Sequence, residues 1–111
     1  MRILLDECVN AGVGKAFPDH AVRTVTQTGW RSSEDGPLLT LAQEQFDVFV
    51  TIDRSLEHQQ NLERFNLGFI IVRVRSNEIR AYEPLFPQLR EAAENVRAGQ
   101  VIHIVSPDLR R

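Results

Sequence analysis

The run Phe46-Asp47-Val48-Phe49-Val50-Thr51-Ile52-Asp53 decides how this chain is read. From Val48 to Ile52 it is short, β-branched and aromatic, and almost continuously apolar. Such a composition suits a strand covered on both faces, as in a parallel sheet packed between helices. The run ends on a carboxylate, Asp53. In a parallel sheet the carboxyl ends of the strands form one edge, and ligand crevices open there where the strand order reverses. Asp47, which precedes the strand, falls at the opposite edge.

Outward from this run, Ile3 to Leu5, Ala21 to Thr26, Phe69 to Val74 and Val101 to Val105 also read as strands. Apolar residues recur at helical spacing between them: Val9, Val13, Ala16 and Phe17, then Leu38, Leu41 and Ala42 with Phe46. The clearest helix carries Leu85, Leu89, Ala92, Ala93 and Val96, with Gly99 as its stop. Pro84 suits a first turn, whereas Pro87 delays or bends the start. Strands alternating with helices predict an α/β fold, a Rossmann-like three-layer α/β/α sandwich on a mostly parallel five-stranded sheet. The 111 residues suffice for one core, so a single domain over 1–111 is expected. Gln27 to Gly36 is the longest polar stretch and a candidate functional loop, in which Trp30 is expected to pack. Arg73 and Arg75 alternate with Val72 and Val74 and so share a face, which marks either an exposed edge strand or a basic patch, with edge protection the favoured reading.

Thirteen basic and fifteen acidic side chains leave a net charge of -2, which excludes a global positive field for nucleic acid. The distribution is uneven. Residues 1–53 carry 4 basic and 8 acidic groups, and residues 54–111 carry 9 basic and 7 acidic. Cys8 is the only cysteine, which excludes an intrachain disulfide framework and a Cys-based zinc site and suits a reducing cytoplasm. The apolar opening Ile3-Leu4-Leu5 is too short for a signal peptide or membrane span, so no membrane partner is expected. Gly12-Val13-Gly14-Lys15 has neither the dinucleotide nor the Walker spacing.

Four acids draw attention. Asp6 and Glu7 follow the first strand, Asp53 follows the third, and Asp35 stands at the head of the second helix. Any one alone reads as a helix cap or a dipole partner. Jointly they converge on one sheet edge, where clustered carboxylates repel unless a cation neutralises them. Oxygen ligation without Cys or clustered His points to Mg²⁺ or Mn²⁺ rather than zinc. Asp6, Asp35 and Asp53 are the candidate ligands. Glu7 is an alternative one, because adjacent residues leave a strand in opposite directions.

An acidic pair after strand one and an aspartate after strand three is similar to a phospho-receiver domain. A receiver also needs a lysine after its fifth strand, and Val105-Ser106-Pro107 has none. The ordered set Leu5-Asp6-Glu7-Cys8-Val9-Asn10, Gly29-Trp30, Asp35-Gly36-Pro37-Leu38-Leu39, Phe46 through Arg54 and Gln59-Gln60-Asn61-Leu62 resembles the small bacterial PIN-like proteins related to the Mut7-C nuclease domain. The resemblance spans nearly the whole chain. It implies a PIN-like fold and a metal-dependent endoribonuclease. It also implies the toxin of a toxin–antitoxin pair, restrained by a small antitoxin protein, with RNA as substrate. Carried over by position, Asp6, Asp35 and Asp53 are the implied catalytic metal ligands. Asn10, Arg54, Gln59 and Gln60 are expected substrate contacts, and a homodimer is a further expectation. Larger members carry a fourth acid late in the chain. Here Glu57 follows Asp53 closely, while Glu78 and Glu83 lie after strand four, so a catalytically silent binding module is the remaining alternative.

Overall fold

The computed structural model describes residues 1–109. Five strands, β1 (Arg2–Leu5), β2 (Ala21–Thr24), β3 (Val48–Thr51), β4 (Gly68–Arg73) and β5 (Val101–Val105), form one sheet in the order β2-β1-β3-β4-β5. Every neighbouring pair is parallel. The connecting helices are α1 (Val25–Thr28), α2 (Asp35–Gln45), α3 (Leu56–Gln59), α4 (Ile79–Tyr82) and α5 (Phe86–Asn95).

Alternation along the strands divides the core into two layers. Ile3, Leu5, Val48, Val50, Ile70 and Val72 point to one face, where Val13, Phe17, Tyr82, Leu85 and Leu89 cover them. Leu4, Phe49 and Phe69 point to the other, beneath Leu38, Leu39 and Ala42 of α2 and Leu56 of α3. A sheet covered on both faces is the three-layer α/β/α arrangement expected from the near-continuous apolar strands. Trp30 packs edge-on against Phe46 at 6.1 Å, which ties the polar loop to the second layer.

Three expectations are corrected. The second strand stops at Thr24 instead of Thr26. The Thr24 hydroxyl accepts from the Gln27 amide while the Gln27 side chain accepts from the Thr24 amide, a capping box that starts α1. The crossover after β1 is a 3-10 helix, Ala11–Ala16, and not an α-helix. Gly12 and Gly14 weaken it, and Gly12 lets Ile79 of α4 approach so closely that a Cβ there would stand 2.9 Å from the Ile79 Cδ1. Finally, β4 lies between β3 and β5, so Arg73 and Arg75 do not guard a sheet edge. The helix expected from Leu85 begins at Phe86, with Pro87 in its first turn behind a short 3-10 turn at Glu83–Leu85.

Candidate active site

The chain runs from β1 outward to β2, then back across to β3. Its first crossover lies on one face, and α2 lies on the other. The strand order therefore reverses between β1 and β3, where parallel α/β sheets open a crevice at their carboxyl ends. Asp6 and Asp53 stand at those two ends. The Asp6 amide still donates to the Val50 carbonyl at 2.9 Å, which extends the β1–β3 ladder to the first carboxylate.

Thr51 joins the two segments. Its hydroxyl donates to Asp6 Oδ2 at 2.7 Å and accepts from the Asp53 amide at 3.0 Å. The Cys8 thiol also donates to Asp6 Oδ2, at 3.5 Å, and the Glu7 amide donates to Asp6 Oδ1 at 2.8 Å. Burial pushes the Cys8 thiol up, and the neighbouring Asp6 charge adds to the shift. A protonated thiol is the form that can donate. Asp53 holds Ser55 through Oδ1, which accepts from the Ser55 amide at 3.0 Å and its hydroxyl at 2.6 Å.

Asp35 completes the group from the first turn of α2. Its carboxyl is pushed above the usual carboxylate range, chiefly by partial burial and then by the charges of Asp53 and Asp6. The three acids thus share one electrostatic field. Among the described residues, none of the three forms a salt bridge with a basic side chain. Nor, among those residues, do three Asp, Glu, His or Cys groups gather closely enough to chelate an ion. Carboxylate oxygens are donors for a hard cation, and an ion here would rest on one or two of them. Mg²⁺ is commonly held by one or two carboxylates with water completing its shell.

The other candidates divide. Glu7 is exposed and turns away, its Oε1 accepting from the amide of Ser32, a residue with a left-handed φ of 65°. It braces the polar loop instead of joining the carboxylates. Asn10 caps the 3-10 helix through the Gly12 amide, and its Nδ2 donates to the Asn77 carbonyl. Both ends of that side chain are engaged within the protein, so its expected substrate contact gives way to a structural one. Gln60 reaches the site, because a Cβ on Gly36, beside Asp35, would stand 3.7 Å from its Oε1. Gln59 lines a groove with Glu57, His58 and Gln100, which Gln60 also borders. Arg54 is exposed and lines a cleft of about 470 Å³ beside β3 and β4.

Thr51 is the site residue that sequence reasoning passed over. Its signal was a lone hydroxyl in a buried apolar strand, two residues before the aspartate. Compared with family models, curated proteins and solved structures, the chain finds no match in any of the three.

Proposed function

We propose that this protein is a metal-dependent endoribonuclease of PIN-like type that hydrolyses RNA phosphodiesters at the β1–β3 crevice. The observation that carries this reading is the placement of Asp6 and Asp53 at the ends of β1 and β3, joined through Thr51, with Asp35 raised by partial burial and then by their charges and, among the described residues, no basic partner against any of the three. An unpaired acidic crevice calls for a cation. A bound Mg²⁺ or Mn²⁺ supplies a water of lowered pKa and neutralises charge on the phosphodiester.

The chain's own groups orient that chemistry. Thr51 and Cys8 meet Asp6 Oδ2 and the Glu7 amide meets Oδ1, so Oδ1 keeps acceptor capacity for an ion. Ser55 engages only Oδ1 of Asp53, so Oδ2 is available to the site. Arg54, next in sequence to Asp53, contacts a phosphate, and the Gln60 amide at the rim meets sugar or base edges. An antitoxin partner, a homodimer and a cytoplasmic setting belong to the same proposal, supported by the sequence resemblance and the single cysteine.

Mn²⁺ calorimetry on wild type and on Asp6→Asn, Asp35→Asn and Asp53→Asn, with cleavage of mixed single-stranded RNA alongside, tests it. Binding and cleavage in wild type, both lost in Asp6→Asn and Asp53→Asn, are the expected result. A wild type that binds no Mn²⁺ and cuts nothing overturns it in favour of a silent binding module.

The strand order favours a second reading, because β2-β1-β3-β4-β5 is also the order of flavodoxin-like sheets, to which receivers belong. Against it, Ser106 and Pro107 follow β5 where a receiver has lysine, and Glu7 braces Ser32. Acetyl phosphate treatment followed by intact-mass measurement separates the two, since only a receiver gains a phosphoryl group on Asp53.

A further inference from the structure

The cleft beside the carboxylates has a floor of Ile52, Val72 and Val74 and a rim carrying Arg54, Arg73 and Arg75. Its polar neighbours are already occupied. Asn77 accepts from Asn10 and from the Tyr82 hydroxyl and donates to the Cys8 carbonyl, while Ser76 accepts from the Glu78 amide. The arginines are not. Neither Arg54 nor Arg73 has a side-chain hydrogen bond or ion pair among the described residues, and Arg75 meets only Asp108, at 3.3 Å in an exposed pair. Exposed pairs of this kind contribute little and yield readily to a better anion.

Because β4 is interior, these cations have no edge to protect. They stand at the carboxyl ends of β3 and β4, one or two strand spacings of about 5 Å from the acids on β3 and β1. Three guanidiniums along an aliphatic floor match the repeating charge of a polynucleotide backbone better than one small anion.

We infer that this cleft is the track for the sugar–phosphate backbone of single-stranded RNA flanking the bond to be cut, with Arg54, Arg73 and Arg75 each meeting a phosphate. The inference rests on the ribonuclease reading and adds the path of the strand, from the β1–β3 crevice across β4 toward β5. The basic excess of residues 54–111 is therefore put to use beside the acidic residues of 1–53.

Binding of a labelled mixed-sequence oligoribonucleotide in EDTA, read by fluorescence anisotropy across a salt series, tests the track without metal or cleavage. Three phosphate contacts give a slope of log K against log salt of about -2, at roughly 0.7 per contact for single strands. The pair Arg73→Gln/Arg75→Gln is expected to reduce that slope by about 1.4. Arg97→Gln, an exposed change before β5 at the opposite sheet edge, leaves it unchanged. Equal slopes in wild type and the double variant overturn the proposal, as does an equal loss in Arg97→Gln. Full displacement of the RNA by millimolar inorganic phosphate also overturns it, marking a pocket for one phosphoryl group. Loss of slope in the double variant while wild type cuts nothing in Mn²⁺ sinks the ribonuclease reading and leaves the track. Cleavage and slope both unaffected in the double variant sink the track alone.

Discussion

Thr51 is fully buried in β3, and its hydroxyl hydrogen goes to Asp6 while its oxygen accepts from the Asp53 amide. Replacing it with valine keeps the shape but strands the Asp53 amide and frees Asp6. The expected cost is about 1–3 kcal/mol in urea unfolding, with weaker Mn²⁺ binding, whereas Thr51→Ser retains the Mn²⁺ affinity. Asp35 behaves oppositely. Its pKa is raised by burial and by Asp53 and Asp6, so the folded state holds that proton more tightly than the unfolded chain does. The associated stability is present below the unfolded-state pKa and is lost as pH rises through the folded one. Asp35→Asn should therefore stabilise the protein at neutral pH, with the gain vanishing in acid, as thermal unfolding at the two extremes will show. A site that destabilises its own fold is a common cost of function. The acids were legible as residue types at strand ends. The diversion of Glu7 and Asn10 was not, because Ser32 and Asn77 are 25 and 67 residues away from them.

The strands and helices show where periodicity is informative. β3 and β4 were legible because strands buried on both faces must be apolar, and β5, an edge strand with His103 exposed, was expected at its observed bounds from its apolar residues. β2 was overrun because it is an edge strand with alternate residues exposed, so hydrophobicity did not mark its end; the capping box at Thr24 did. The 3-10 crossover was misread because Val13 and Ala16 are buried at a spacing that either helix type can provide. Helix α5 is seated by a glycine that periodicity ignores. A Cβ on Gly68, at the head of β4, would stand 2.6 Å from Val96 Cγ1 and 3.3 Å from the Arg97 carbonyl. Gly68→Ala is expected to cost about 1–3 kcal/mol in urea unfolding through overpacking, without altering RNA or Mn²⁺ binding. A change in binding equal to the change in stability would show that α5 and the crevice are coupled.

Across the whole molecule, the fold class and the edge that carries the acids followed from composition and from the alternation of strands with helices, while the order of the strands did not. Nothing local to Arg73 says that β5 lies beyond it, and that fact removes the edge-guard reading and leaves the basic patch. No helix among the described residues is long and apolar enough to cross a membrane. The strand order also sets a timetable for synthesis. The three carboxylates all emerge within the first 53 residues, but β3 gains its second neighbour only when β4 is made, beginning at Gly68. Until then β3 is an open border whose unpaired backbone invites association with other chains. A fragment of residues 1–67 should therefore be insoluble or unfolded by circular dichroism even though it contains every candidate ligand; a soluble, Mn²⁺-binding fragment would refute this. On the ribonuclease reading, a ribosome carrying the half-made chain is spared a competent nuclease because the acids are synthesised before the strand that steadies them.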